Sequence, residues 1–148
     1  MTEHLNNLAK IPVTVITGFL GAGKTTLALH LAVAAEAAGH TVAVIDLDPQ
    51  SSASGWADSR TAEGPTVAIA HAPRLSSILQ AAAANGATLA ILDTAPHSQG
   101  DSSTAAQLAD AILIPCRPGI LDLRAIGPTV QIAKLAGKPA AVVLNACP

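Results

Sequence analysis

Apolar residues in this chain come in short unbroken runs, each closed by a polar or turn-forming residue, and the runs alternate with longer alanine-rich stretches. IPVTVIT (11–17), TVAVID (41–46), TVAIAHA (66–72), TLAILDT (88–94), DAILIPC (110–116) and PAAVVLN (139–145) are β-branched and apolar at consecutive positions. That pattern predicts strands buried on both faces rather than strands with one wet face. Between them, KTTLALHLAVAAEAAGH predicts a helix closed by Gly39, and PRLSSILQAAAANG a helix opened by Pro73 and closed by Gly86. LDPQSSASGWADSRTAEGP is polar and turn-rich, with room for a short helix. APHSQGDSS reads as a loop and TAAQLA as a short helix. LDLRAIGPTVQIAKLAG predicts a helix that Pro128 starts, kinks or interrupts.

Strands that alternate with helices along the whole chain predict an α/β fold, a parallel sheet with helices on both faces. Residues 1–10 read as a tail and 11–148 as one domain. In such sheets ligands sit at the carboxyl ends of the strands. This singles out 18–26, 46–50, 71–73, 93–97, 115–118 and 145–148. The chain stops at Pro148 directly after the sixth strand and its loop, so that strand is expected to lie uncovered.

Composition narrows the picture. The chain has 148 residues, half of them hydrophobic, yet Phe19 and Trp56 are its only aromatic side chains. The core must be built from Ala, Val, Leu and Ile, with Trp56 expected to anchor the polar segment on it. The net charge is −2 and no Lys/Arg run is present, which is not the footprint of a strong nucleic-acid binder. Cys116 and Cys147 form no C-x-x-C pair and read as two buried thiols. No apolar run reaches the roughly 18 residues of a membrane span. MTEHLNNLAK lacks the apolar stretch of a signal peptide. The expected location is cytoplasmic, with no membrane association.

The candidate chemistry starts at GFLGAGKT (18–25), which fits G-x-x-x-x-G-K-[ST] between a strong strand and a strong helix. Glycines let the backbone N–H groups point inward as an anion nest, and the helix N-terminus adds partial positive charge. Lys24 can reach the β- and γ-phosphates, and the Thr25 hydroxyl can bind Mg²⁺. Asp93, after four apolar residues in LAILDTAP, suits a Walker B carboxylate for that metal. Asp46 and Asp48 lie two apart at a strand end, on one side of it. Like charges so placed repel unless a cation or water separates them, and one of them could orient an attacking water.

GAGKTTLALHLA, GHTVAVIDLDPQSSASGW, ILDTAPH, DAILIPCRPGILDLRAI and AAVVLN together resemble the ParA/MinD family of P-loop ATPases, from about residue 13 to the end. The resemblance implies an ATP- and Mg²⁺-dependent switch ATPase that acts in plasmid or chromosome segregation or in positioning cell structures. It implies a cradle of Gly18, Gly21, Ala22, Gly23, Lys24, Thr25 and Thr26, with Thr26 at the α-phosphate and Asn145 near the adenine. Thr25, Asp46 and Asp93 would serve the metal, Asp93 through a bound water and Asp46 from farther out. Lys24 and Asp48 would be catalytic, Asp48 positioning the hydrolytic water. It also implies an ATP-dependent homodimer, a ParB-type activator protein and non-specific DNA binding.

Two features depart from that family. Its cradle normally reads K-G-G-x-G-K-T, and the first lysine crosses the dimer to the partner's phosphates. Here Phe19 holds that position and Leu20 the next, and a phenyl ring neither donates hydrogen bonds nor offsets phosphate charge. Arg117 and Arg124 are the candidate substitutes. The family also continues past the point where this chain stops, so the C-terminal part of its domain is expected to be missing. GFLGAGKTT itself resembles the CobW-type metallochaperone GTPases, although a cysteine-rich metal motif and an N-K-x-D guanine signature are absent. The rival readings are therefore a nucleotide-binding module without dimer-dependent hydrolysis, a CobW-like GTPase and a small-molecule phosphotransferase. His97 stands where a γ-phosphate sensor could lie, and also fits an exposed loop histidine.

Overall fold

The computed structural model describes residues 10–96 and 98–147. Six parallel strands form one sheet in the order β3-β2-β4-β1-β5-β6. They are β1 (Val13–Ile16), β2 (Val42–Asp46), β3 (Thr66–Ile69), β4 (Leu89–Asp93), β5 (Ala111–Cys116) and β6 (Ala140–Leu144). The helices are α1 (Lys24–Ala37), α2 (Ser52–Asp58), α3 (Leu75–Ala84), α4 (Gln99–Leu108), α5 (Ile120–Ala125) and α6 (Gly127–Ala136), with a 3₁₀ turn at Ala72–Arg74.

Every sequence-expected strand is present, one to three residues shorter. Alternate residues of the central strands feed two separate cores. Val13, Val15, Ala43, Ile45, Ala90, Leu92, Ile112 and Ile114 face α3, α4 and α6. Ile16, Val42, Val44 and Ile91 face α1 and α2, with Trp56 packed against them as the anchor expected for the polar segment. The guanidinium of Arg60 lies 4.3 Å from the Trp56 ring centre. Few aromatics are needed because the helices approach closely on small residues. Ala28, Ala32, Ala105 and Ala106 have no exposed surface.

Two expectations are revised, at α4 and at Cys147, and the interruption expected at Pro128 is found. The helix read at TAAQLA starts earlier, at Gln99, and absorbs most of the polar stretch taken for a loop. The helix around Pro128 is two helices, and the proline sits in the first turn of α6, where a missing N–H costs nothing. Only Cys116 is buried; Cys147 is exposed in the turn after β6.

Strand order places the site. β1 lies between β4 and β5, and β2 lies beyond β4. In register, Ile16 pairs with Asp93 across β1–β4, and Asp46 pairs with Asp93 across β2–β4. Three strands thus end level, two on a carboxylate and the third running into the glycine-rich turn. At the far edge β6 is largely exposed, with Val142 and Leu144 open. No helix among the described residues is long and apolar enough to cross a membrane.

Candidate functional site

Gly18–Gly23 leaves β1 as a tight turn and hands over to α1 at Lys24. Gly21 and Gly23 hold φ of 79° and 90°, a left-handed region that a side chain resists. Gly23 occupies the helix N-cap without any side-chain cap, so the first N–H groups of α1 are left for a ligand. The turn also has support from behind. Asn145, just past β6, donates from Nδ2 to the Ala22 carbonyl at 3.2 Å. Its side chain stands so close to Gly23 that a Cβ there would collide with it. The Arg117 guanidinium, just past β5, lies on the Gly21 side of the same turn.

Inside the turn, Lys24 is buried and donates from Nζ to the Phe19 carbonyl at 3.0 Å. Burial lowers its pKa, while the charges of Asp93 and Asp48 pull it back up. Thr25 Oγ1 donates to Asp93 Oδ2 at 2.7 Å. The other oxygen, Asp93 Oδ1, is buried with no hydrogen-bond partner among the described residues. A buried carboxylate oxygen with no partner is costly unless a cation or bound water meets it. The protein therefore carries, beneath the cradle, a hydroxyl and a free carboxylate oxygen side by side. That hard-oxygen pair fits a Mg²⁺ that keeps several waters.

The other two acidic residues divide the work differently from their spacing. Asp46 is fully buried. Its Oδ1 accepts from the Asp48 N–H, and its Oδ2 accepts from the N–H groups of Ala53 and Ser54. Asp46 thus caps the start of α2 and stands level with Asp93 across the β2–β4 pairing, one step back from the open Asp93 oxygen. Asp48 is half-buried and lines the cradle cavity of about 160 Å³ with Leu20, Lys24, Thr25, Thr26 and Pro96. Its Oδ1 accepts from the Gln50 N–H, which fixes the turn after β2. The structure thus gathers Gly18, Gly21, Ala22, Gly23, Lys24, Thr25, Thr26, Asp48, Asp93 and Asn145 at one end of the sheet. His97 lies outside the described residues. Thr94 is a residue that sequence reasoning missed. Buried, it donates from Oγ1 to the Ile16 carbonyl at 3.0 Å and ties the end of β4 to the start of the cradle.

Residues 13–146 match the CobQ/CobB/MinD/ParA nucleotide binding domain family. The "Maintenance of carboxysome distribution protein A" of Gloeobacter kilaueensis is 41% identical over 125 residues, 83% of this chain and 56% of that protein. The chain thus spans little more than half the length of that relative. Zinc chaperone CobW of Pseudomonas aeruginosa is 58% identical over 41 residues, 28% of this chain and 10% of that protein. Among solved structures, apo McdA of Cyanothece superposes with a TM-score of 0.74 at 16% identity, covering 90% of this chain and 72% of that one. Cobyrinic acid a,c-diamide synthase of Mycobacterium smegmatis, with bound ADP and magnesium, superposes with a TM-score of 0.72 at 18% identity, covering 89% and 72%. At those identities the two structures share the fold.

Proposed function

The chain belongs to the CobQ/CobB/MinD/ParA family of nucleotide-binding domains, and from that premise we propose that it is a Mg²⁺-dependent, ATP-binding switch ATPase that positions or partitions a cellular cargo. The observation that supports this most is the Thr25–Asp93 pair, 2.7 Å apart, with Asp93 Oδ1 left open beneath an uncapped helix start. The known relatives with this fold include a carboxysome-distribution protein and a synthetase solved with ADP and magnesium.

In this reading the N–H groups of Gly21–Thr26 surround the phosphates, and Lys24 swings from the Phe19 carbonyl to the β- and γ-phosphates. Lys24 would exchange the Phe19 carbonyl for charged phosphate oxygens, which make stronger hydrogen bonds to it. Thr25 and Asp93 are the residues that would hold the metal. The metal supplies charge neutralisation at the phosphates. Asp48, on the cavity wall, orients the attacking water. Asp46 acts one step back, holding the Asp48 turn and α2. Asn145 braces the turn and borders the adenine. The location proposed is the cytoplasm.

The partner surface is proposed at the same end of the molecule. Leu20 in the cradle and Ile120 and Leu121 on α5 are 67%, 65% and 75% exposed. A second copy bound face to face across ATP would cover these apolar side chains. A ParB-type activator would then act on that dimer. No feature of the described residues adds support for DNA binding.

A second reading rests on Phe19. With no lysine at that position, the chain is a nucleotide-binding module that does not hydrolyse ATP. Phosphate release separates the two readings. Slow ATP turnover that Asp48→Ala abolishes, with ATP binding retained, is the expected result. Undetectable turnover by the wild-type protein with intact binding establishes the second reading instead.

A further inference from the structure

We propose that the cavity on the outer side of the cradle is a second ligand site, for a small molecule with a hydrogen-bond-accepting head on a short apolar body, a monocarboxylate in the simplest case. The cavity measures about 500 Å³, three times the cradle cavity, and lies between Gly18–Leu20, Ala95 and the N-terminal turns of α4 and α6. Small-molecule sites are mostly apolar clefts of about 300–1,000 Å³ with a few convergent polar groups. This cavity meets that description on both counts.

Its apolar wall is made by Phe19, Leu20 and Ile132. Its polar wall is made by the hydroxyls of Thr17, Ser98, Ser102 and Thr129 and by the Gln99 amide. Thr129, in the first turn of α6, is 9% exposed, lines the cavity, and has no side-chain hydrogen-bond partner among the described residues. Ser102 is 5% exposed, lines the cavity too, and shares a 3.3 Å hydrogen bond with the Thr17 hydroxyl. The Thr129 hydroxyl faces the cavity with no partner among the described residues, so it is free to donate to an occupant. The ten-residue helices α4 and α6 both begin at this cavity, and neither has a side-chain cap. The first N–H groups of α4 add donors, α6 adds fewer because Pro128 has none, and both helix starts add partial positive charge. No charged side chain lines the cavity, and Asp101 in the first turn of α4 is not part of its wall. Donors converge with no competing carboxylate, so the head that fits is an acceptor, and a cation does not fit.

The occupant would be coupled to the nucleotide. Gly18–Leu20 is the first half of the cradle, and Ala95 follows Asp93 by two residues. One ligand therefore shifts the geometry of the other's wall, and the effect on affinity is reciprocal. Phe19 gains a role on this account, as the apolar wall of an effector site.

Hexanoate is the test probe, with hexylammonium as the charge-reversed control, titrated into the whole chain while backbone amide shifts are followed. Hexanoate at millimolar concentration is expected to shift Phe19, Thr129 and Ile132, and hexylammonium is not. Thr129→Val is expected to weaken hexanoate about three- to tenfold. Ala125→Phe, placed at the exposed rim, is expected to fill the cavity and abolish the shifts. Both variants should still bind ATP, which verifies their folding. Lys24→Ala should lose ATP and keep the hexanoate shifts, so the two sites fail separately. The proposal is overturned if hexanoate leaves those three amides unmoved, if hexylammonium moves them equally, or if neither cavity variant changes the response.

Discussion

Burial pushes the Asp93 carboxyl up to about 6, well above the usual carboxylate range, with the Thr25 hydroxyl and Lys24 opposing the rise and the Asp46 and Asp48 charges adding to it. The folded protein therefore holds a proton on Asp93 through a window, roughly pH 4 to 6, in which the unfolded chain has released it. Stability contributed by that proton is present below the window and lost as pH rises through it. In denaturant unfolding without nucleotide, Asp93→Asn is expected to be more stable than wild type at pH 8 by about 1–3 kcal/mol. The difference should shrink toward pH 4. A variant less stable than wild type at pH 8 contradicts this charge balance. The same carboxyl must ionise to serve a metal, so Mg²⁺–ATP binding is expected to weaken as pH falls below about 6. The placement of Lys24, Thr25 and Asp93 at one strand end was legible because its signals are local: a motif of fixed spacing, and an acid directly after an apolar run. Phe19 was not. Its position in the motif told what it could not do, and only the cavity it borders suggests what it does.

At the scale of elements, Asp46 shows how far periodicity reaches. Spacing of two put Asp46 and Asp48 on one side of an extended chain, but β2 ends at Asp46 and the chain turns. The N–H groups that claim the Asp46 oxygens belong to α2, seven and eight residues later. Nothing in DLDPQ announces them. Asp46→Ala is expected to cost about 2–3 kcal/mol, since it leaves buried N–H groups unpaired. Amide exchange should quicken first at Ala53 and Ser54. Unchanged exchange there would mean that Asp46 does not hold α2. Helix α4 was misjudged for a related reason. Its first turn, QGDS, is polar and glycine-bearing and has poor intrinsic propensity. Its helicity comes from Ala105 and Ala106, packed without exposed surface into the core shared with β1 and α6. Tertiary burial overrode a weak local signal.

For the whole molecule, the alternation of apolar strands and alanine-rich helices was enough to read a parallel sheet covered on both faces. The strand order was not legible, because pairing β4 between β1 and β2 is a long-range choice. That order brings Asp93 level with both Asp46 and the cradle, and so it builds the site. The exposed leucines at the same end belong to this scale as well. Leu121→Asp, at a position with 75% exposure, is expected to leave folding and ATP affinity intact while preventing an ATP-dependent dimer in light scattering. A variant that still dimerises with ATP places the interface elsewhere. The central claim, that this fold end is a Mg²⁺–ATP site, is tested most directly by calorimetry of ATP and GTP binding with Mg²⁺ on the wild type and on Lys24→Ala. The expected result is Mg²⁺-dependent ATP binding, much weaker GTP binding, and loss of ATP binding in Lys24→Ala. Preference for GTP, or ATP binding that survives Lys24→Ala, would contradict it.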